Sequence, residues 1–315
     1  MRIDAQTKLF GIIGNPLSHT FSPDMQNAAF AARGINAVYL AFPVKSLLHL
    51  KYSMKLWNIQ GLSVTIPYKI SIRRLLDQID PLALQIGAVN TVLWGKTHLL
   101  EGYNTDGPGA MMAIHKSGYR LHGKKVLILG SGGSARSIAF ALTQEKVSEI
   151  GIMSRNPLMA MQLARNLTLI KNNPAVTILL WPTPHRLQKS LVDILPASGR
   201  KWKSTVYKEA EQLTEYDLII NTTPMGMKNS EHHEKSPLSG SELSKHQTLF
   251  DIVYNPQYTP LLKAAKKKKL DLILGYKMLL YQGVRQFELF TREKAPEKEM
   301  EVALLRAMKL SHHGK

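Results

Sequence analysis

The sequence predicts an α/β protein of two domains, each built on a mostly parallel sheet, with the C-terminal helices returning to the first domain. Three observations lead there. Short apolar, β-rich runs alternate with amphipathic helical segments along most of the chain, which is the pattern of a sheet with helices on both faces. The alternation stops near Pro108 and restarts at a new strand, glycine loop and helix. A chain of 315 residues with 44% apolar content can fill two cores.

The elements follow in order. "LFGIIG" is a buried strand closed by the turn Gly14-Asn15-Pro16. "SPDMQNAAFAARG" is a helix, with Ser22 as N-cap, Pro23 in the first turn, Asp24 at the positive end of the helix dipole and Gly34 as the stop. "AVYLAFPV" is a second strand, and a helix is expected between Ser46 and Gly61. "LSVTIP" is a third strand, "ISIRRLLDQID" a helix, and "AVNTVLW" and "LLEGYN" short strands. After the turn at Asp106-Gly107-Pro108-Gly109 come the helix "GAMMAIHKSG" and the unit "GKKVLILGSGGSARSIAFAL". Further buried strands are "EIGIMS", "DLIINT", "TLFDIV" and "LDLILG", and "YKMLLYQGVRQFELFT" is an amphipathic helix. The expected domains are 1–107, completed by helices in 275–315, and 108–274. Within the second, 166–214, including "LWPTPHRLQKSLVDILPASGRKWKS", reads as a surface insertion.

Composition narrows the function. There is no cysteine, so disulfides, thiolate metal sites and cysteine nucleophiles are excluded. The start of the chain carries Asp4 and only a five-residue apolar run, unlike a signal peptide. No run approaches the roughly 18 apolar residues that span a bilayer. A cytoplasmic location is expected, with no membrane partner. The net charge of +18 is dispersed, and its densest run, Lys266 to Lys269, is four residues long. With no nucleic-acid-binding signature beside it, the charge reads either as a solvated basic helix surface or as a field that attracts anionic small molecules, and not as a nucleic-acid site. The pairs His232-His233 and His312-His313 sit on no catalytic element, and no metal is expected.

Two places carry chemistry. Gly130-Ser131-Gly132-Gly133-Ser134-Ala135 joins a strand to a helix. Glycines there make a tight turn and admit a pyrophosphate to the N–H groups and positive dipole end of the helix. The next strand ends at Ser154-Arg155-Asn156, with Ser154 standing 22 residues after Gly132. NAD-binding folds usually place an acid there for the ribose 2′-hydroxyl. An acid would repel a 2′-phosphate and an arginine fork can bind it, so the tip points to NADP. The second place is "GLSVTIPYK", where a lysine, Lys69, follows a buried strand. A ketone that accepts hydride needs a proton, and a lysine can supply one. Asn90 and Asp106 also lie where short strands give out, the usual ligand-binding rim of an open α/β sheet.

Eight stretches, "GIIGNPLSHTFSP", "GLSVTIPYK", "IGAVNTV", "GYNTDGPG", "LGSGGSARS", "IINTTPMGM", "FDIVYNPQYTPLL" and "GYKMLLYQGVRQFELFT", together resemble the shikimate dehydrogenase family in order and approximate spacing. The resemblance implies NADP-dependent, reversible reduction of 3-dehydroshikimate to shikimate by a monomer or homodimer, with Lys69 aimed into an interdomain cleft. It implies Lys69 as proton donor and Asp106 as its partner. Thr65 and Asn90 would contact the ring acid, Thr20 and Ser22 would hold its carboxylate, and Tyr254 and Gln282 would close over it. The glycine loop with Ser154, Arg155 and Asn156 would hold NADP, and Ile252 and Gly275 would line the nicotinamide end. Two positions depart from the family. Thr20-Phe21-Ser22 replaces the usual Ser-x-Ser, and Ser63 replaces an Asn, so that Ser63 is expected to open space beside the ring acid.

A quinate/shikimate dehydrogenase with broader ring-acid and cofactor use is the alternative. A methylene-tetrahydrofolate dehydrogenase should show Tyr-x-x-x-Lys, and Tyr52 and Lys55 have the wrong spacing. A binding or regulatory protein without turnover would not need both Lys69 and Asp106.

Overall fold

The computed structural model describes residues 3–17, 20–171, 173–180, 203–206, 213–228 and 230–313. It forms two compact units, Met1–Ala110 with Met278–Lys315, and Met111–Lys277.

The first unit carries a six-stranded sheet in the order β2-β1-β3-β5-β6-β4. Its strands are β1 (Lys8–Gly14), β2 (Ala37–Pro43), β3 (Ile59–Val64), β4 (Gln78–Ile79), β5 (Thr91–Trp94) and β6 (Leu100–Tyr103). Pairing is parallel for β1 with β2 and β3, and for β4 with β6. It is antiparallel on both sides of β5. A tight turn makes β5 and β6 a hairpin, with Gly95 N–H donating to Leu99 O at 2.8 Å. One face is covered by the cluster of Ile13, Met54, Leu62, Val64, Ile72 and Val92 with their neighbours. Each such side chain contributes roughly 1.5–3 kcal/mol when removed from water.

Helices α1 (Ser22–Ala32), α2 (Leu50–Leu56), α3 (Pro81–Ile86) and α4 (Asp106–Lys116) follow their strands. The N-cap of α1 is Phe21 rather than Ser22, and the nearest hydroxyl help comes from Thr20, whose Oγ1 accepts from Ser22 N–H at 3.3 Å. The helix expected from Ser46 to Gly61 is much shorter. Asn58, at a left-handed φ of 49°, ends the turn after α2, and the buried Ile59 already belongs to β3. "ISIRRLLDQID" is a single 3₁₀ turn, Ser71–Leu75, followed by β4. Asp77 draws this segment to the sheet edge by accepting from Leu100 N–H at 2.8 Å. Asp80 then caps α3 through Leu82 N–H and Ala83 N–H.

The second unit is an all-parallel seven-stranded sheet, β10-β9-β8-β7-β11-β12-β13. The strands are β7 (Lys125–Leu129), β8 (Glu149–Ser154), β9 (Ala175–Leu180), β10 (Lys203–Val206), β11 (Leu218–Asn221), β12 (Thr248–Asp251) and β13 (Asp271–Leu274). Helices α5 (Gly133–Leu142), α6 (Pro157–Thr168) and α7 (Pro260–Lys267) connect them. Strand order reverses between β7 and β11, and the carboxyl ends of strands at such a switch point are where open α/β sheets bind ligands. The expected insertion needs correction. Within 166–214, α6 runs to Thr168, and β9 and β10 are strands of the sheet, because "AVTILL" is apolar and β-branched enough to pair with β8. Residues 172, 181–202 and 207–212 of that segment lie outside the described residues.

The last helices, α8 (Gly275–Thr291) and α9 (Glu297–His313), complete the first unit from Met278 onward. Phe287 meets Phe30 of α1 at 5.6 Å between ring centroids, and Phe290 meets Phe10 of β1 at 5.2 Å. Such tilted pairs are worth about 0.5–1.5 kcal/mol beyond their burial. No described helix is long and apolar enough to cross a membrane.

Candidate active site

Lys69 stands five residues beyond the end of β3, held by its neighbours. Thr65 N–H donates to Ile13 O and Tyr68 N–H to Thr65 O, which turns the chain. Tyr68 is buried in the core, and its hydroxyl donates to Val44 O at 2.8 Å. Lys69 O accepts from Val89 N–H at 2.8 Å. With the backbone fixed on both sides, the ammonium reaches Asp106 Oδ2 at 2.5 Å.

Asp106 opens α4 and is almost fully buried. Its backbone N–H donates to Asn104 Oδ1, and the Asn104 amide donates to Ala88 O. Its other oxygen, Oδ1, accepts from Asn90 Nδ2 at 2.8 Å. The Asn90 amide also donates to Thr105 Oγ1 at 2.9 Å, and its oxygen accepts from Thr105 N–H and Thr91 Oγ1, each at 2.8 Å. Gln282 on α8 stands 3.5 Å from Asn90 Nδ2. It comes this close because α4 has a glycine facing it. A Cβ at Gly109 would lie 2.6 Å from Gln282 N. Lys69, Asn90, Asp106 and Gln282, from four separate parts of the chain, thus form one cluster.

Thr20 and Ser22 pair their hydroxyls at 3.2 Å, on a half-buried and a buried residue. Thr65 is half-buried, with its methyl against Gly14. Ser63 departs from expectation. It is 3% exposed, its hydroxyl accepts from Tyr39 Oη at 2.6 Å and donates to Gln286 Oε1 at 2.7 Å. The room left by its short side chain is filled from behind. Burial pushes the Tyr39 phenol well above its ordinary range, so it stays a donor.

In the second unit, Gly130 follows β7 at a φ of 114°, which a side chain would resist, and a Cβ there would meet Thr222 Oγ1 at 2.5 Å. Ser131 leads to Gly132, the N-cap of the ten-residue α5, and nothing lies within 4 Å of where a Gly132 Cβ would stand. Gly133, Ser134 and Ala135 form the first turn, at the positive end of the helix dipole. The loop is tied to the neighbouring strand by Ser131 Oγ and Ser154 Oγ at 2.7 Å. Arg155 is exposed at the tip of β8, and Asn156 caps α6 by accepting from Met159 N–H. A strand, a glycine turn without side-chain obstruction and a helix N-terminus suit a pyrophosphate, and an arginine without an acid beside it suits a 2′-phosphate. Ile252 and Tyr254 are half-buried on the loop after β12, with Gly275 packed against the Ile252–Val253 peptide.

Sequence reasoning missed several polar groups. Thr105 sits inside the quoted "GYNTDGPG" and was signalled by that stretch. Gln286 lies one turn after Gln282, so both project from the same face of α8. Asp251 ends β12, fully buried. Its carboxylate accepts from Thr259 Oγ1 at 2.6 Å, Asn221 Nδ2 at 2.9 Å and Val253 N–H at 3.1 Å. Burial pushes its carboxyl up to about 6 against these three bonds. No group of His, Asp and Glu among the described residues is arranged to hold a metal ion.

A sequence model described as the shikimate dehydrogenase substrate binding domain matches residues 12–92, and one described as the shikimate 5′-dehydrogenase C-terminal domain matches 275–305. The NADP(+) shikimate dehydrogenase of Moorella thermoacetica is 36% identical over 316 residues, covering 100% of this chain and 98% of that protein. The chain belongs to the shikimate dehydrogenase family. A crystal structure of a shikimate dehydrogenase in complex with NADP+ is 35% identical, with a TM-score of 0.79 and 98% of both chains covered. The Listeria monocytogenes shikimate 5-dehydrogenase in complex with shikimate and NAD is 30% identical, with a TM-score of 0.78 and 96% and 98% covered. The family likeness therefore extends over both units and matches the α/β fold expected from the sequence.

Proposed function

We propose that this chain is a shikimate dehydrogenase. It catalyses the reversible NADPH-dependent reduction of 3-dehydroshikimate to shikimate, in the shikimate pathway that leads to the aromatic amino acids. The observation that supports this most is the buried Lys69–Asp106–Asn90 cluster at the strand ends of the first unit, in a chain that belongs to the family from end to end.

NADP, when bound, supplies hydride in one direction and accepts it in the other. Lys69 gives its proton to the oxygen that becomes the new hydroxyl. The neutral amine left behind is reprotonated from water, which its 17% side-chain exposure allows. In the oxidative direction the neutral amine takes the hydroxyl proton. Asp106, at 4% exposure, orients the ammonium and is itself fixed by Asn90. Thr20 and Ser22 hold the ring carboxylate, Thr65 and Asn90 contact the ring acid, and Tyr254 and Gln282 close over it. Ser63 contributes through Gln286 rather than by opening room. Backbone N–H groups from Gly130 to Ala135 bind the pyrophosphate, Ser154, Arg155 and Asn156 surround the 2′-phosphate, and Ile252 and Gly275 line the nicotinamide end. The chemistry is complete in one chain, so a monomer or a homodimer suffices, and the cytoplasm supplies both substrates.

Expression in a bacterium deprived of its own shikimate dehydrogenase tests this reading. Growth without added aromatic amino acids is expected. No growth, with the protein present and folded, contradicts it.

A further inference from the structure

One polar residue of α8 touches no substrate in the reaction as described. Gln286 is 2% exposed and lies between β3 and β5. Its Nε2 donates to Asn90 O at 3.0 Å and to Thr91 Oγ1 at 3.1 Å. A backbone carbonyl can only accept, so this contact fixes which way the carboxamide is turned. Every proton around it is then assigned. Gln286 Oε1 must face the Ser63 hydroxyl, so Ser63 donates to it and accepts from Tyr39. Thr91 Oγ1 accepts from Gln286 and sends its own proton to Asn90 Oδ1. The Asn90 amide nitrogen is left facing Asp106 Oδ1, across from the Lys69 ammonium on Oδ2.

The donors therefore run one way, from Tyr39 through Ser63, Gln286, Thr91 and Asn90, to a carboxylate that receives both Asn90 and Lys69. Tyr39, Ser63, Thr91, Asn90 and Gln286 are each at most 3% exposed, so water is poorly placed to replace a missing member.

We propose that Gln286 is a positioning residue for the ring-acid reaction. Through the Thr91 hydroxyl it supports, beside the Thr105 N–H, the turn of the Asn90 carboxamide, and its own oxygen sits against the Ser63 hydroxyl. Gln286 touches none of Lys69, Asp106 or Gln282 through a hydrogen bond among the described residues, and it acts through Asn90. The inference rests on the shikimate dehydrogenase reading.

A double-mutant cycle tests it. Gln286→Met keeps the length and removes the hydrogen bonds, and Thr91→Val removes the hydroxyl link while keeping the shape. Misplacing a reacting group by about 1 Å costs on the order of 10²-fold, and a loosened carboxamide should cost about tenfold. Each variant is expected to lower kcat for shikimate by about that factor, with KM for NADP unchanged. Because both act through one link, the double variant should be no slower than the worse single one within about twofold. A purely structural role lowers the melting temperature and leaves kcat alone. Wild-type kcat in folded Gln286→Met, or losses that multiply in the double variant, overturn the inference. Should Gln286→Met not fold, unchanged kcat in Thr91→Val alone does so. A wild-type chain that neither binds nor oxidises shikimate overturns the enzymatic reading instead, and the inference with it.

Discussion

Around Lys69 the first unit sets side chain against side chain. Lys69, Asp106, Asn90, Thr105, Thr91 and Gln286 hold one another, and most are shut away from water. At the ends of β7 and β8 the second unit works with backbone. A glycine turn and a helix N-terminus form the proposed cradle, and the charged residue at its tip, Arg155, lies in solvent. The difference teaches where each site is vulnerable. A buried side-chain network fails when one member goes, because the others lose partners that water cannot replace. A backbone cradle keeps its N–H groups through most substitutions and yields mainly in selectivity.

The sharpest way to break this contrast is Lys69→Ala. Loss of a general acid typically costs 10²- to 10⁴-fold, and kcat should fall by about that much. NADP affinity should barely move, since the cradle lies in the other unit. Equal losses in kcat and NADP affinity would end the division between the two sites, and near-normal turnover in the folded variant would end the assignment of Lys69.

Arg155→Ala comes next. A charge-assisted hydrogen bond is worth roughly 1.5–3 kcal/mol, or about 10- to 150-fold. Wild-type enzyme should prefer NADP over NAD by at least the lower figure. The variant should lose most of that preference by raising KM for NADP, with kcat nearly intact. A wild-type enzyme that uses NAD equally well contradicts the reading of the β8 tip.

A third way acts on stability rather than on rate. Asp251 lies in the second unit yet resembles the first unit's chemistry, being a buried carboxyl with three side-chain and backbone donors. Its carboxyl is raised from the ordinary 3.8 to about 6 by burial. The folded state therefore holds this proton more tightly than the unfolded state. The associated stability is fully present below about pH 4 and is lost as pH rises through about 6, an effect of about 3 kcal/mol. Asp251→Asn carries no such charge. Unfolding free energies of the two proteins should diverge in favour of the variant between pH 4 and 7. Parallel curves over that range would show that Asp251 does not titrate there.

The same contrast explains what could be read from the sequence. Lys69, Asn90, Asp106 and the glycine loop sit in contiguous stretches with strand-end or turn chemistry, and these mark candidate sites without knowledge of their partners. Gln286 and Tyr39 were not legible, because their importance lies in contacts across more than 20 residues of sequence with Ser63. Ser63 itself was misjudged for that reason. A short side chain suggests a gap only when the residues behind it are unknown. Among the elements, α2 was drawn too long because "LWNIQG" keeps its apolar residues through Asn58, where the backbone turns left-handed. β9 was hidden within a segment whose proline-rich continuation reads as loop.

The central claim is a first-unit pocket for a flat ring acid, working with NADP. Thr20 adds a methyl beside the proposed carboxylate site, and the Ser63 hydroxyl is taken up by Tyr39 and Gln286, so neither departure adds room for a bulkier ring acid. Initial rates of NADPH formation at 340 nm, with shikimate and with quinate at one pH, test it most directly. Quinate carries a tetrahedral C1 with an added hydroxyl, and tolerance of such an addition limits discrimination to about 10²-fold. The expected result is NADPH formation with kcat/KM for shikimate at least about tenfold above that for quinate, and slow quinate oxidation still detectable. Quinate equal to or above shikimate, or no NADPH with either acid, contradicts the account.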